Sequence, residues 1–341
     1  MKCLLVILLI TNVVIPVASG EQNEAAPPLG HQQVRNAVQK ALPLLERASA
    51  GSAEQRKCFT CHSQALPVLA MTAAMTRSFE IDKTNLQRQL DHTAAFLKRG
   101  REDYAAGKGQ GGRVDTAGYA LWTLQAGKRD PNEVTAAVVE YVLQTNVDSG
   151  HWVHSSNRPP TEASDFTTTY VALRGLAAFG TKEQQTRISQ RRDAAIEWLL
   201  QTKTTDTEDR VFQLRSLSHA QGDAPTQRVL ADALIAAQRS DGGWAQKDDM
   251  MSDAYATGSV LACLAQTGHW TTTSPGYQRG LQFLLQSQKP DGSWMVESRS
   301  KPFQKYYETG FPHGVNQFVS TSATAWAVIA LIEAIPESDS K

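Results

Sequence analysis

A glycine and tryptophan turn signal recurs along the chain and constrains its fold more than any other feature. The three copies end at Trp152, Trp244 and Trp294, and the last two begin at Gln238 and Gln288 in the pattern Gln-x-x-x-Gly-x-Trp. The spacing of the tryptophans fits a repeat of about 46 to 50 residues. Repeats of this length are typical of proteins in which each unit packs mainly on its neighbours.

Apolar residues recur at helical spacing throughout the chain, as Val34, Ala37, Val38 and Ala41 illustrate. Patterns that alternate as in strands are essentially absent. Each repeat is long enough for two helices, and roughly 300 residues hold about six such pairs. The sequence therefore predicts an all-α fold, an (α/α)6 toroid in which outer helices surround inner ones. The repeated tryptophans are interpreted as packing residues between outer helices.

Small polar residues mark the predicted starts of the inner helices. Their side-chain oxygens accept hydrogen bonds from the backbone N–H groups that a helix start leaves unpaired. The predicted caps are Asp115–Thr116, Ser164–Asp165, Ser252–Asp253 and Ser320–Thr321. We expect the last two inner helices to cover Ala254–Gln266 and Ala323–Ala334.

The first twenty residues predict a signal peptide. Lys2 precedes an apolar run from Cys3 to Ile10, and small residues end the stretch at Gly20, where cleavage is expected. The mature chain is therefore expected to be secreted or periplasmic, with no integral membrane segment after cleavage. The predicted organisation is a signal peptide at 1–20, a flexible leader at 21–33, the repeat domain at 34–335 and a tail at 336–341.

The charge of the chain is balanced, with 34 Lys and Arg residues against 34 Asp and Glu residues. No long run of like charge stands out, so the composition argues against a nucleic-acid partner. An apolar small molecule or a protein partner fits a neutral chain better.

The two complete turn copies resemble the QW repeats of squalene and hopene cyclases, which occur in weaker form in prenyltransferase β-subunits. The stretch Tyr307–Pro312, with the sequence Tyr-Glu-Thr-Gly-Phe-Pro, is similar to a segment near the end of hopene cyclases. The resemblance extends from Val34 to Ile335. It implies the α/α toroid of that superfamily.

The residues that carry the chemistry of these enzymes are not matched. Hopene cyclases protonate their substrate with an Asp-x-Asp-Asp motif, and Ser164 stands at the donor position of the corresponding stretch Glu162–Asp165. Val315 lies where an aromatic residue is expected. Of the prenyltransferase zinc ligands only Asp253 has a counterpart, because Tyr255 replaces the thiolate, so no zinc site is supported. The Cys-Gly-Glu-Gln motif of complement-like thioester domains is absent.

A Cys-x-x-Cys-His motif begins at Cys58. In c-type cytochromes the two thiols of this motif bind the haem and the histidine ligates its iron. The motif predicts haem c as cofactor, with Cys58 and Cys61 as attachment residues and His62 as the iron ligand. A disulfide or a free dithiol fits the motif equally well, and zinc fits it less well, because two further ligands are not evident.

The distal side of such a haem has no obvious ligand. Met71 would lie on the same side of a continuous helix as His62, which leaves His31, His92 or a five-coordinate iron. Cys263 lies in an apolar helical pattern and is interpreted as a buried thiol.

The loop from Arg299 to Gln317 concentrates polar and aromatic residues between two apolar helices. It suits either the mouth of a central cavity or a cap that seals the last repeat against the first. Two hypotheses of function follow. The first is a binding or redox-linked toroid, and the second is an enzyme that acts on an isoprenoid or carbohydrate substrate with Asp253, Glu308 and His313 as acid and base groups.

Overall fold

The computed structural model describes residues 30–301 and 305–336. Within these ranges twelve long helices form six hairpins, each of which joins an outer helix to the inner helix that follows it. The predicted all-α toroid is confirmed. Helix α1 begins at His31, so the end of the stretch predicted as a leader is helical. The predicted signal peptide, the start of the leader and most of the predicted tail lie outside the described residues.

The outer helices are α1 (His31–Gln55), α3 (Lys83–Arg99), α6 (Glu133–Gln144), α8 (Gln185–Gln201), α10 (Ala224–Ala236) and α12 (Pro275–Ser287). The inner helices are α2 (Leu66–Met75), α5 (Arg113–Ala126), α7 (Asp165–Phe179), α9 (Thr207–His219), α11 (Ala254–Gln266) and α13 (Gln317–Glu333). The short elements are a π-helical turn (Cys61–Ala65) before α2, helix α4 (Arg101–Ala105), 3-10 turns at Val147–Ser149, Lys182–Gln184 and Gly314–Asn316, and two antiparallel strands, β1 (Trp244–Ala245) and β2 (Ser252–Asp253).

The inner helices form a closed ring, in which α13 packs against both α11 and α2. Hydrogen bonds join the last repeat to the first, one of them from Arg56 Nη2 to the Lys305 carbonyl at 2.7 Å. The Gln288 side chain donates to the Ala37 carbonyl at 2.9 Å, and Arg77 Nε donates to the Ile335 carbonyl at 2.8 Å. Closure buries the ends that an open solenoid would leave exposed.

The inner helix α13 illustrates how deeply the ring is buried. The segment Gly314–Glu333 is long enough to cross a membrane, and an 18-residue window within it has a mean hydropathy of 1.4, but 83% of that window is buried inside the toroid. A core helix surrounded by other helices needs this apolar composition. The apolar composition of this segment is explained by its place at the centre of the packing.

The three repeated tryptophans are at most 1% exposed. The indole Nε1 of each donates to a backbone carbonyl of the preceding outer helix at 2.7 to 2.8 Å. The backbone N–H of each donates to a threonine hydroxyl on an inner helix at 2.9 to 3.2 Å. Each tryptophan is a buried packing residue, as expected, but its hydrogen bonds join an outer helix to an inner one rather than two outer helices.

The glycines of the turn signal are required by their conformation and their surroundings. Gly242 and Gly292 have φ angles of +85° and +95°. A Cβ atom at these positions would lie 2.6 Å from the Arg279 carbonyl oxygen and 2.5 Å from that of Lys40, on the following outer helix. Only glycine combines this backbone conformation with so close an approach.

Two of the four predicted helix caps are confirmed. Ser164 accepts from the N–H groups at the start of α7, and Asp253 accepts from the start of α11. The prediction at Asp115 was wrong, because α5 begins at Arg113 and Asp115 instead accepts from the Ser155 N–H. The Ser320–Thr321 cap was also wrong, because α13 begins earlier than predicted and these residues lie within the helix.

Candidate functional site

Aromatic side chains fill the centre of the inner ring. Tyr119 stacks on Trp122, and Trp326 contacts both Trp122 and Phe212, with ring centroids 6.0 to 6.4 Å apart. Tyr170 contacts Trp122 and Phe212 at 5.2 and 5.3 Å. We call these five residues the aromatic layer. It separates two open spaces, one at each end of the ring.

The first space, which we call the mouth cavity, lies where the inner helices begin and has a volume of about 360 Å³. Its walls come from the loop before α7, from the start of α2 and from the segment that leads into α13. The lining residues include His62, Arg158, Pro159, Glu162, Lys301, Lys305, Tyr306, Val315, Phe318 and Val319. The volume is within the range of small-molecule sites.

The floor of the mouth cavity holds a group of ionisable residues around Glu162, whose side chain is 3% exposed. Its carboxylate pairs with Arg158 at 3.0 Å, and His62 Nδ1 lies 4.0 Å from its other oxygen. The backbones of Arg158 and Glu162 are also joined by two mutual hydrogen bonds of 3.0 Å. These contacts fix the carboxylate at the base of the cavity.

Burial changes the protonation of this group. Desolvation raises the pKa of Glu162, and the Arg158 charge opposes that rise. Burial raises the pKa of the Cys61 thiol well above its usual range, and the Glu162 charge adds to the effect. Burial, with a contribution from Arg158, lowers the pKa of His62 to about 3. His62 and Cys61 are therefore neutral at physiological pH.

The structure divides the Cys-x-x-Cys-His motif between the surface and the interior. Cys58 is exposed, Cys61 is buried, and neither forms a disulfide. His62 lines the mouth cavity, and its Nε2 atom is buried with no hydrogen-bond partner among the described residues. His92, one of the predicted distal ligands, lies 3.3 Å from the Cys58 carbonyl oxygen through its own Nε2.

The other predicted ligands lie elsewhere. Met71 is fully buried in the apolar packing of α2, and His31 is exposed at the start of α1. Cys263 is buried, as predicted. Among the described residues no group of three or more His, Cys, Asp or Glu side chains is arranged to hold a metal ion.

The structure does not bring Asp253, Glu308 and His313 together in one cavity. Asp253 caps α11 and accepts from Gln246 at 2.9 Å, and burial raises the pKa of its carboxyl. Glu308 is exposed and accepts from Gln317 at 3.1 Å. His313 Nε2 lies 2.7 Å from the Ser293 hydroxyl, beside a repeat turn. None of the three lines the mouth cavity.

A second cavity of about 480 Å³, which we call the side cavity, adjoins the mouth cavity across Pro159. Glu208 lines it and is 4% exposed. One Glu208 oxygen accepts from Thr167 and Tyr255, and the other has no hydrogen-bond partner within residues 30–301 and 305–336. Burial, with the charge of Asp206, raises the pKa of Glu208 well above its usual range. Asp206 lines the same cavity, so two carboxyl groups lie close together here.

Sequence reasoning missed Arg158 and Glu208. Arg158 lies in a loop rich in proline and serine, and Glu208 lies in the first turn of α9. A buried acid in the first turn of an inner helix resembles an ordinary favourable helix start, because acids stabilise the positive end of the helix dipole. Only the burial of Glu208 distinguishes it.

Sequence comparison places part of this chain beside known cyclases. The profile of the squalene-hopene cyclase C-terminal domain matches residues 172–341. Lanosterol synthase erg7A of Aspergillus fumigatus is 37% identical over 97 residues, which cover 28% of this chain. The chain spans 12% of the length of that enzyme.

Structural comparison extends the likeness to almost the whole chain. A variant of the type II terpene cyclase MstE from Scytonema, in complex with geranylgeranyl dihydroxybenzoate, aligns with a TM-score of 0.59 at 14% identity and covers 90% of this chain and 99% of its own. A protein from Actinoplanes aligns with a TM-score of 0.58 at 12% identity, covering 89% of this chain and 100% of its own. A glycosidase variant aligns at 0.57 and 11% identity, covering 90% and 98%.

Together, the repeat turns, the closed inner ring and these comparisons define the class of protein. The chain has the fold of a squalene cyclase-like α/α toroid. Neighbours with such low identity show the fold alone, because one fold hosts unrelated chemistries.

Proposed function

We propose that this protein binds an apolar small molecule of the isoprenoid class in the mouth cavity. The observation that carries the proposal is the cavity itself, which combines apolar walls with one polar floor. A ligand of this class has an apolar chain and a single polar end, and the cavity offers one surface for each.

The walls and the floor suit the two parts of such a ligand. Phe318, Val319 and Pro159 supply apolar surface, and burial of a hydrocarbon chain against them releases its hydration water. At the floor, Arg158 balances Glu162, and His62 is neutral. A floor without net charge accommodates the hydroxyl group of a ligand better than it accommodates an ionised ligand group.

Ser164 argues for binding rather than for cyclisation. Its hydroxyl accepts from the start of α7 and donates to Asp209 at 2.7 Å. A hydroxyl group is far too weak an acid to protonate an alkene. We therefore expect no polycyclic product when the protein is incubated with squalene, as analysed by gas chromatography and mass spectrometry.

Calorimetric titration with farnesol tests the proposed binding. Val315 lines the cavity and is 72% exposed, so Val315→Trp should narrow the mouth without disturbing the core. We expect at least a tenfold loss of affinity. The matched control is Val229→Trp, on the exposed surface of α10, which should bind as the wild type does. Equal affinity in both variants, or no binding by the wild type, would contradict the proposal.

A c-type haem at Cys58, Cys61 and His62 is a second candidate, favoured by the unpartnered Nε2 atom of His62. Because its pKa is about 3, this imidazole carries no proton on one nitrogen at neutral pH and can serve as an iron ligand. Neither thiol of the motif is engaged in a disulfide; Cys58 is exposed and Cys61 is buried, so haem attachment would require Cys61 to become accessible. Bound haem would supply electron transfer.

The absorption spectrum of protein exported from a host that matures cytochromes c tests this candidate. We expect a Soret band that survives denaturation and acid extraction and is lost in the Cys58→Ala and Cys61→Ala double variant. His62→Ala should weaken and shift the band, and the control Cys263→Ala should keep it. A colourless protein whose mass spectrum shows a Cys58 to Cys61 disulfide would rule the haem out.

We also propose that the mature chain acts outside the cytoplasm, on the strength of the charged start and apolar run of its first twenty residues. Amino-terminal sequencing of protein from the periplasm or the medium tests this proposal. We expect the mature chain to begin at Glu21. Recovery of the full chain in the cytoplasm alone would contradict it.

A further inference from the structure

The second open space lies at the other end of the ring, where the inner helices finish. We call it the far pocket, and its volume is about 330 Å³. The aromatic layer separates it from the mouth cavity. It is lined by Leu69, Trp122, Tyr170, Arg174, Arg215, Ser218, His219, Gln266, Thr267, Trp326 and Ile329.

Arg215 is the central polar residue of the far pocket and is only 4% exposed. Its Nη1 atom donates to the Gln266 side chain at 2.8 Å. Its Nε and Nη2 atoms are buried and have no hydrogen-bond partner among the described residues. These two nitrogens form one edge of the guanidinium, the edge that holds the two oxygens of a carboxylate or phosphate side by side.

A second guanidinium adds to the positive charge. Arg174 donates to the Gln125 side chain at 2.7 and 3.0 Å and to the Tyr170 hydroxyl at 2.8 Å, so its own donors are engaged by neutral groups. No Asp or Glu is among the described residues that line the pocket. The pocket therefore carries two positive charges without a lining carboxylate.

The aromatic layer packs against both guanidinium groups. The Arg215 guanidinium lies 5.0 Å from the Trp326 ring centroid, and Arg174 lies 5.0 Å from that of Trp122. Ring faces and the carboxyl ends of helices attract cations. Neither accepts a hydrogen bond from the N–H groups on the free edge of Arg215. A buried donor that stays unpaired is costly, so the edge is suited to an external acceptor.

His219 adds a feature of the opposite kind. Its ring is hydrogen-bonded to the Leu173 backbone carbonyl, so the buried Nε2 atom, which has no partner in the described part of the chain, is left as an acceptor. Burial and Arg174 lower the pKa of His219 to about 4, which keeps the ring neutral. The far pocket thus offers a bidentate donor edge and, separately, one acceptor.

We propose that the far pocket binds a small oxyanion that carries a hydroxyl group, such as a hydroxycarboxylate or hydrogen phosphate. Two of its oxygens lie on the Arg215 edge, and its hydroxyl donates to His219. Arg174 provides long-range attraction and holds no oxygen itself. The site is separate from the mouth cavity and does not depend on what that cavity binds.

Calorimetric titrations with lactate, propionate and inorganic phosphate at pH 7.5 test the proposal. We expect lactate or phosphate to bind, and lactate to bind at least threefold more tightly than propionate, which lacks the hydroxyl. Phosphate binding without lactate binding would identify a phosphate-type ligand, and the reverse a carboxylate. Failure of both lactate and phosphate to bind would overturn the proposal.

Arg215→Met keeps the length of the side chain and removes the donor edge, so affinity should fall at least tenfold. The matched control Arg228→Met removes an exposed arginine from α10 and should leave affinity unchanged. Arg215→Lys keeps the positive charge but removes the two-nitrogen edge, so it should also lose affinity at least tenfold. It provides the test if the methionine variant does not fold. Unchanged binding in a folded Arg215 variant would overturn the proposal.

Discussion

The two ends of the inner ring each place a neutral histidine near an arginine, but they differ in what balances the arginine. At the mouth, Arg158 near His62 pairs with Glu162 at 3.0 Å. At the far end, Arg174 near His219 and the buried Arg215 are held by amide and hydroxyl oxygens alone. The buried floor of the mouth cavity is balanced internally, although two exposed lysines, Lys301 and Lys305, also line that cavity, whereas the buried arginine of the far pocket faces no lining carboxylate.

This difference teaches which ligand each end suits. An internally balanced floor gains little from an ionised ligand, so apolar contact decides what binds there. An unbalanced cation buried among aromatic rings gains most from an anion, because the alternative is a buried charge with unpaired donors. One ring of helices can therefore hold two sites of opposite character, provided that the aromatic layer keeps them apart.

Trp326→Ala should have the largest effect on the separation between the two ends of the ring. The ring is 1% exposed and packs between Trp122 and Phe212, so truncation leaves a cavity and removes the barrier between the ends. We expect a loss of about 3 to 5 kcal/mol in the free energy of unfolding by urea. Val229→Ala, on an exposed face, should cost less than about 0.5 kcal/mol. A similar small cost for Trp326→Ala would show that the layer is not a packed barrier.

Acid should destabilise the far end through His219. Its pKa in the folded protein is about 4, below the ordinary value of 6.5, so the unfolded chain binds more protons between these values. Stability from this residue is complete above pH 6.5 and is lost as the pH falls towards 4, by about 3 kcal/mol at pH 4. His219→Gln should lose correspondingly less between pH 7 and pH 4 in urea titrations. Parallel losses in both proteins would contradict the assignment.

Glu162→Gln should make the mouth resemble the far end, because it leaves Arg158 without its carboxylate. We expect a loss of about 1 to 3 kcal/mol, less than for a fully buried pair because Arg158 is 26% exposed. Phosphate should then stabilise the variant more than the wild type in thermal unfolding. Glu197→Gln on the surface of α8 is the control. If phosphate stabilised the variant no more than the wild type, the Arg158–Glu162 pair would not be the reason that the mouth cavity gains little from an anion.

The converse exchange should have the smallest effect on stability. The double variant Gln266→Glu, Glu333→Gln keeps the net charge of the chain. It also keeps the contact between these two side chains, which is 2.8 Å in the wild type, and it places a carboxylate beside Arg215. We expect a gain of up to about 1 kcal/mol and loss of most of the binding of phosphate and lactate at the far pocket. Retained oxyanion affinity would show that the missing counter-charge is not what the ligand supplies.

Much of the fold could be predicted because its determinants are local. The turn glycines need a positive φ, and the tryptophans fill a gap that each repeat creates anew. The caps at Ser164 and Asp253 were found for the same reason. The caps at Asp115 and Ser320 were missed because residues there are engaged by other segments, Asp115 by Ser155 and Ser320 by the Val296 backbone.

The candidate site was only partly predictable. His62 was identified from its motif, but no local pattern indicates that its neighbour in space is Glu162, a hundred positions further along the chain. Asp253, Glu308 and His313 were chosen as acid and base groups by residue type, but they lie apart. Glu208 and Arg215 are unremarkable in sequence. Their burial, which raises the pKa of Glu208 and isolates the Arg215 donors, arises only when the inner helices close into a ring.

The sequence by itself determined the helical repeat, the turn geometry and the position of the cysteine and histidine motif. These follow from backbone conformation and from periodic burial, which depend on residues close together in the chain. The tertiary structure decided which charges are balanced. Ring closure brings residues from all six hairpins to the far pocket and from three of them to the mouth cavity. The protonation and pairing of a side chain depend on the neighbours and the solvent access that closure creates.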